Sequence, residues 1–307
     1  MTETVRWVIG RGLLGRAIER SRTDMPLSRS IPWGNEAGSI AALREGLSEL
    51  VGRDGRLEVY WSAGRAVTSS PAAQFAGELR VFEAFVAELS ALPADARDRL
   101  TVFLASSVGG AYAGSPGAPF TEESPVAPLS EYGRAKLEME DLIRSATRDG
   151  GWRTFIARIT NLYGPGQDLG KGQGLISVLI SGLVTGAPVS VYVPLDTLRD
   201  YIYEDDCAAV VEAAMRRMAT QSPGETVVKI VGAMRAVSIG ALLSELTRVR
   251  RRRGRVVLGR KDATGQSLDL RVRSTVWTDL DAAARTTLPD GLSRIFQAQL
   301  SRHALRT

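Results

Sequence analysis

The sequence predicts an α/β protein: a doubly wound parallel sheet with a smaller C-terminal lobe. Three observations predict it. Short apolar runs of strand type alternate with amphipathic stretches of helical spacing up to Pro165. The first run ends in a glycine-rich turn that leads straight into a helical stretch. After Pro165 the alternation gives way to a glycine-rich loop and to segments without a clear period. Alternating strands and helices place helices on both faces of a parallel sheet, and such sheets bind ligands at the carboxyl ends of their strands.

The elements follow in order. VRWVIG (5–10) reads as the first strand, and LLGRAIERS (13–21) as the helix after it. MPLSRSIPW (25–33) reads as a second strand and its exit, AALREGLSELV (41–51) as a helix, and RLEVYWSAG (56–64) as a strand ending in small residues. In residues 72–92 Leu79, Phe82, Phe85, Val86 and Leu89 recur at helical spacing. These side chains have enough apolar surface to serve a core or an interface between subunits. LTVFLASS (100–107) is a buried strand, residues 131–146 a long helix, and WRTFIARITNLYG (152–164) a further strand. The larger unit is expected to span residues 1–165 with a return segment at about 197–235. The lobe is expected to take residues 166–196 and 236–307, the stretch 268–281 being irregular.

Composition excludes several classes. Of 307 residues 44% are hydrophobic and 24% charged, an ordinary globular balance. The lone Cys207 rules out an internal disulfide and fits a reduced, cytoplasmic setting. The apolar start is too short for a signal peptide. The most apolar stretch, 174–193, is broken by Gly182, Gly186 and Pro188, so no membrane span is expected. With His303 as the single histidine, zinc sites of the Cys/His type are unavailable, no metal is expected, and no motif supports a Ser-His-Asp relay. The net charge of +5 is concentrated in one run, Arg248 to Arg255, which holds six arginines without interleaved aromatics. That pattern reads as a solvated helix end and turn, and no nucleic-acid partner is expected.

Two motifs carry chemistry. Gly10, Gly12 and Gly15 form G-x-G-x-x-G between a strand and a helix, with Leu14 inside the turn. Gly10 permits the tight turn, Gly12 admits a pyrophosphate to the backbone, and Gly15 lets helix and strand pack closely. The end of the second strand reads the adenosine ribose in such folds. It holds Ser28-Arg29-Ser30 and no acid, so Arg29 is the candidate for a 2′-phosphate, which slightly favours NADP over NAD; an exposed basic strand end is the plain alternative. Tyr132 and Lys136 lie four residues apart on one helical face. An ammonium beside a phenol lowers the phenol's pKa, as a general base for an alcohol or acid for a carbonyl requires. Ser106 and Ser107 close a strand about 25 residues earlier, where a hydroxyl reaches the same substrate oxygen.

With the glycine motif, SSVGGAY (106–112), EYGRAK (131–136), ARITNLYGPGQ (157–167) and RDYIYEDD (199–206) in order, residues 5–245 resemble the extended short-chain dehydrogenase/reductases, the group labelled NAD-dependent epimerase/dehydratase. The resemblance implies Tyr132 as acid/base, Lys136 as its partner that also holds the nicotinamide ribose, and Ser107 as third member, with Ser106 the alternative. It implies Ala63 and Gly64 beside the cofactor, Asn161 near the substrate's phosphates, and Arg199 gripping the diphosphate of a nucleotide-linked sugar. Pairing of Arg199 with Asp200 or Asp205 is the plain alternative. A homodimer built on the Tyr-Lys helices is also implied. The chain departs from the family where VPLDTL (193–198) replaces a G-D-G-like turn before Arg199 and where the second strand lacks its acid.

The family's dehydratases carry an acid–base pair just after the catalytic hydroxyl, whereas Ser107 is followed by Val108-Gly109-Gly110, which cannot transfer protons. Hydride chemistry with a tyrosine acid/base remains: reduction of a 4-keto sugar first, 4-epimerisation with a bound NAD second. A non-catalytic nicotinamide-binding regulatory protein is a third reading, against which the Tyr-Lys pair stands.

Overall fold

The computed structural model describes residues 3–24, 26–64, 71–168, 174–250, 254–259 and 267–305. From the N-terminus run β1 (Thr4–Ile9), α1 (Leu13–Arg20), α2 (Glu36–Val51), β2 (Arg56–Trp61), α3 (Ala72–Ser90), α4 (Ala94–Asp98), β3 (Leu100–Ser107) and α5 (Val108–Tyr112). Next come α6 (Glu131–Gly150), β4 (Arg153–Ile159), β5 (Asn161–Tyr163), α7 (Leu175–Thr185), β6 (Val189–Val191), β7 (Leu198–Tyr203) and α8 (Glu204–Met218). The chain continues through β8 (Thr226–Val231), β9 (Ala236–Ser238), α9 (Ile239–Arg250), β10 (Val256–Leu258), β11 (Asp269–Leu270), a 3-10 turn (Thr278–Ala283) and α10 (Leu288–Ala304).

Five parallel strands form the main sheet in the order β1-β2-β3-β4-β8. Successive strand residues point to opposite faces, and the two faces bury separate cores. Trp7, Val59, Trp61, Val102, Leu104 and Ile156 meet α2, α3 and α6 on one face. Val8, Tyr60, Phe103, Phe155 and Ala157 meet α1 and α8 on the other. Phe82, Phe85 and Leu89 of α3 are at most 1% exposed, so they belong to the first core and not to a subunit interface.

Two predicted strands differ from the structure. Among the described residues of 25–33 Leu27 alone pairs, as a parallel bridge to Trp7, its N–H donating to the Arg6 carbonyl at 2.7 Å. Pro26 and Pro32 have no N–H for a ladder, and Ser28, Arg29 and Ser30 between them are polar. The predicted strand 152–164 is two strands in different sheets. β4 ends at Ile159, and β5 leaves after Thr160 to pair with β7. The Thr160 hydroxyl donates to Asp200 Oδ1 at 2.8 Å, which fixes the departure.

Because Leu27 and β2 flank β1 on opposite edges, the chain reverses direction across the sheet there. The crevice between the ends of β1 and β2 is the switch point where doubly wound sheets bind ligands. Beyond the sheet, α7, β6, α9 and α10 enclose a third core around Ile180, Leu242 and Ile295. The stretch 268–281 contributes the two-residue β11 and most of the 3-10 turn. Within the arginine run, residues 251–253 lie outside the described residues, as do 169–173 of the glycine-rich loop. Among the described residues no helix is long and apolar enough to cross a membrane.

Candidate active site

The glycine turn is built by close approach. Gly10 has φ +91°, and a Cβ there would lie 2.4 Å from the Ala63 Cα, so the turns after β1 and β2 touch backbone to backbone. A Cβ on Gly15 would lie 2.1 Å from the Gly10 carbonyl oxygen. A Cβ on Gly12 would meet nothing within 4 Å, which leaves the N-terminus of α1 open, with no side chain capping it. Free N–H groups and the positive end of a helix facing open space suit a pyrophosphate. Leu14 is buried among Val8 and Ile18, so it can offer a ligand only its backbone.

Beside this turn a cleft of about 260 Å³ is lined by Trp33, Gly34, Trp61, Ala63, Gly64 and Glu78. Ala63 and Gly64 line this cleft, and a Cβ built on Gly10 or Gly64 would meet Ala63 Cα or Lys136 Nζ, respectively. Arg29 is turned to α2, its guanidinium donating to Glu45 at 2.6 Å and Glu49 at 3.3 Å. Reading a 2′-phosphate would require it to leave both carboxylates.

At the end of β3 the structure separates the two serines. Ser106 points to the α6 face and donates to Glu140 Oε1 at 2.5 Å. Ser107, next along the strand, caps α5 by accepting from the Gly110 N–H at 3.1 Å. Bare glycine at 110 brings the groups together: a Cβ there would stand 3.3 Å from Ser107 Cβ and 3.4 Å from Tyr132 Cε1. Burial pushes the Tyr132 phenol up, Glu78 adds to the shift, and its interaction with the Ser107 hydroxyl opposes it. Lys136 donates to the Ala105 carbonyl at 3.1 Å, with its Nζ 6.0 Å from the Tyr132 ring centre, and burial pushes its own pKa down. The net shift of the phenol is upward, opposite in direction to the lowering expected from Lys136, because burial is its largest cause.

Beneath these residues a buried network fixes α6 to the sheet. Glu140, one turn beyond Lys136, accepts from Arg158 Nη2 at 2.7 Å. Arg158 Nη1 donates to the Tyr112 hydroxyl at 2.6 Å, which donates to the Thr121 carbonyl at 3.0 Å. The Ser106 hydroxyl is part of that network.

Asn161 and Arg199 stand on the paired strands β5 and β7. Asn161 is exposed and donates through Nδ2 to the Asp200 carbonyl at 2.9 Å. Arg199 pairs with neither Asp200 nor Asp205. Its guanidinium donates to the Leu198 carbonyl at 2.8 Å and the Ser267 carbonyl at 2.7 Å, and burial lowers its pKa. Asp200 instead accepts from Thr160 and from the N–H groups of Ala233 and Arg235. Among the described residues the hydrogen-bond partners of Arg199 are neutral carbonyls, which suits a cation that receives an anion.

Sequence reasoning missed Glu78, Trp33 and Glu140. Glu78 and Glu140 fell on the polar positions of amphipathic helices, where a carboxylate usually faces water. Trp33 was read as the end of a strand.

The chain resembles known proteins in sequence and in fold. A family model described as the NAD dependent epimerase/dehydratase family matches residues 64–230, more than half of the chain. The dTDP-4-dehydro-6-deoxyglucose reductase of Escherichia coli is 30% identical over 101 residues, 33% of this chain and 32% of that protein. The chain thus spans about a third of the length of the curated relatives it matches first. A UDP-glucose 4-epimerase from Thermotoga maritima, solved with UDP-glucose, superposes with a TM-score of 0.77 at 17% identity, covering 99% of this chain and 100% of that one. RMD from Pseudomonas aeruginosa, complexed with NADPH, superposes at 0.74 with 22% identity over 98% and 99%. At these identities the superpositions show a shared Rossmann-like fold. The glycine turn, the Ser107–Tyr132–Lys136 corner and the match over residues 64–230 place this chain in the NAD dependent epimerase/dehydratase family.

Proposed function

We propose that the chain reduces a 4-keto sugar carried on a nucleoside diphosphate, using a nicotinamide cofactor. The observation that carries this reading is the state of Tyr132. Its phenol, protonated at neutral pH as an ordinary phenol is and shifted further up by burial, stands beside the Ser107 hydroxyl at the end of β3. A protonated phenol is an acid, and reduction of a carbonyl needs an acid at its oxygen.

Gly10, Gly12 and Gly15 would hold the cofactor's pyrophosphate, Ala63 and Gly64 would line its length, and Lys136 would hold its nicotinamide ribose. When bound, the cofactor supplies the hydride. Ser107 then orients the ketone oxygen, and Tyr132 gives that oxygen its proton as the sugar carbon is reduced. Arg199 would exchange its carbonyl partners for the substrate's diphosphate, with Asn161 beside it. The Val108-Gly109-Gly110 turn offers no second proton-transfer group at the neighbouring carbon, which supports reduction over dehydration.

One observation favours a 4-epimerase with resident NAD instead: Arg29 is held by Glu45 and Glu49. Incubating the chain with UDP-, GDP- and dTDP-linked sugars, with and without a 4-keto group, separates the two readings. NADPH or NADH consumption only with a 4-keto sugar is the expected result. Interconversion of two sugars without added cofactor would replace reduction with epimerisation. A homodimer through the α6 helices belongs to the same proposal, and a monomer by light scattering at micromolar concentration would remove that part.

A further inference from the structure

Glu78 is a carboxylate that neither the glycine motif nor the Tyr-Lys pair explains. α3 and α6 lie side by side, and their opening turns meet face to face. Phe75 and Glu78 are three residues apart on one face of α3, as Tyr132 and Lys136 are four apart on α6. The Phe75 ring packs edge-on against Tyr132 at 6.3 Å. One turn further on, Glu78 and Lys136 converge over Gly64. A Cβ built on Gly64 would stand 3.8 Å from Lys136 Nζ and 3.9 Å from Glu78 Oε2. Glu78 also lines the cleft beside Ala63 and Gly64.

We propose that Glu78 biases the site toward the oxidised form of the cofactor. This inference rests on the cofactor reading given above. The oxidised nicotinamide ring carries a positive charge that the reduced ring lacks. The two forms otherwise share one shape. A carboxylate within reach of the ammonium that would hold the ribose stands in the field of the ring attached to that ribose. In a half-buried cleft this field is screened less than in bulk water, so the carboxylate strengthens binding of the cationic ring and leaves the neutral one nearly unaffected. Its field reaches the corner: the Glu78 charge opposes the burial-induced fall of the Lys136 pKa and adds to the rise at Tyr132. Glu78 is thus a positioning residue that acts through charge. In a reductase it favours hydride leaving the cofactor; in an epimerase it keeps the resident cofactor ready to accept one.

Calorimetric titration of the full chain with NAD+ and NADH, and with NADP+ and NADPH, tests this. The informative quantity is the ratio of dissociation constants, oxidised over reduced, because a loss of packing changes both forms alike. Glu78→Gln should raise that ratio about three- to tenfold, and Glu78→Asp, which keeps the charge, should retain most of the wild-type ratio. Glu78→Ala, with a residue that favours helix, should behave as Glu78→Gln does and serves if the glutamine variant folds poorly. If both forms weaken equally in the neutral variants, Glu78 is structural and the proposal falls while the cofactor reading stands. If the wild type binds neither form, both fall together.

Discussion

Two of the buried ion networks on the sheet lie on opposite faces, and they differ in what they touch. On the α6 face Glu140 joins Arg158 to Ser106, the strand neighbour of Ser107. On the α8 face Arg6 meets Asp24 at 2.6 Å and Glu212 at 3.2 Å, and Arg22 meets Glu58 at 3.2 Å. The Tyr60 hydroxyl completes the second network by donating to Glu58 at 2.8 Å. The first network balances one carboxylate against one buried guanidinium, and that pairing raises the Arg158 pKa despite burial. The second sets three carboxylates against two guanidiniums, and burial raises both Glu212 and Tyr60. Charge burial therefore does not by itself mark a functional site here. What differs is position: the α6 network reaches Ser106, the strand neighbour of Ser107, while the α8 network ties β1 and β2 to α8.

The comparison can be broken in order of effect. Tyr132→Phe should lower turnover about 10²- to 10⁴-fold while cofactor binding stays nearly intact, because the ring remains and its proton does not. Full turnover in that variant, on a substrate the wild type accepts, would refute the assignment of the acid. Glu140→Gln should cost about 3–5 kcal/mol of stability, since Arg158 is left buried without its charge partner, and should also lower turnover per folded molecule. Glu212→Gln should cost about 1–3 kcal/mol, because Arg6 and Arg22 keep other carboxylates, with turnover per folded molecule unchanged. Chemical denaturation combined with single-turnover rates gives both quantities. Equal losses of turnover in the two variants would erase the distinction drawn between the faces.

A smaller effect sharpens it. Glu204 packs against Gly164, with its carboxylate 3.4 Å from Arg20, and burial pushes its pKa up to about 7. A raised carboxyl pKa means the folded chain holds the proton more tightly than the unfolded one. Its contribution to stability is therefore greatest below the ordinary carboxylate range and is lost as pH rises through about 7. Glu204→Gln should stabilise the chain by about 1–2 kcal/mol at pH 8 and by nearly nothing at pH 4. Thermal melts across that range read the difference; a pH-independent gain would place the effect elsewhere. Smallest is Ser106→Ala, about 1 kcal/mol from one lost hydrogen bond, with turnover retained.

The sheet was legible in the sequence because its strands are apolar runs buried on both faces, as β3 and β4 show. Leu27 was misjudged as a full strand because apolar character at one residue does not reveal how many N–H groups its neighbours can offer. The glycine turn, Tyr132 and Lys136 were legible because their chemistry fixes their spacing. Which serine faces Tyr132 was not, since both close the same strand and only the position of Glu140 separates them. Arg29 and Arg199 were visible as cations, but the partners of Arg29 lie 16 and 20 positions away and Arg199 reaches Ser267, 68 positions away, beyond any local pattern. Glu78 was invisible for the same reason: its meaning lies in α6, not in α3.

The opposed directions of Ser106 and Ser107 also set a rule for insertions and deletions. One residue added to or removed from β3 before Ser106 would exchange the two hydroxyls, sending the partner of Glu140 to the substrate side and its neighbour into the core. A change of two residues would restore the order. Length variation in this strand should therefore survive in even steps.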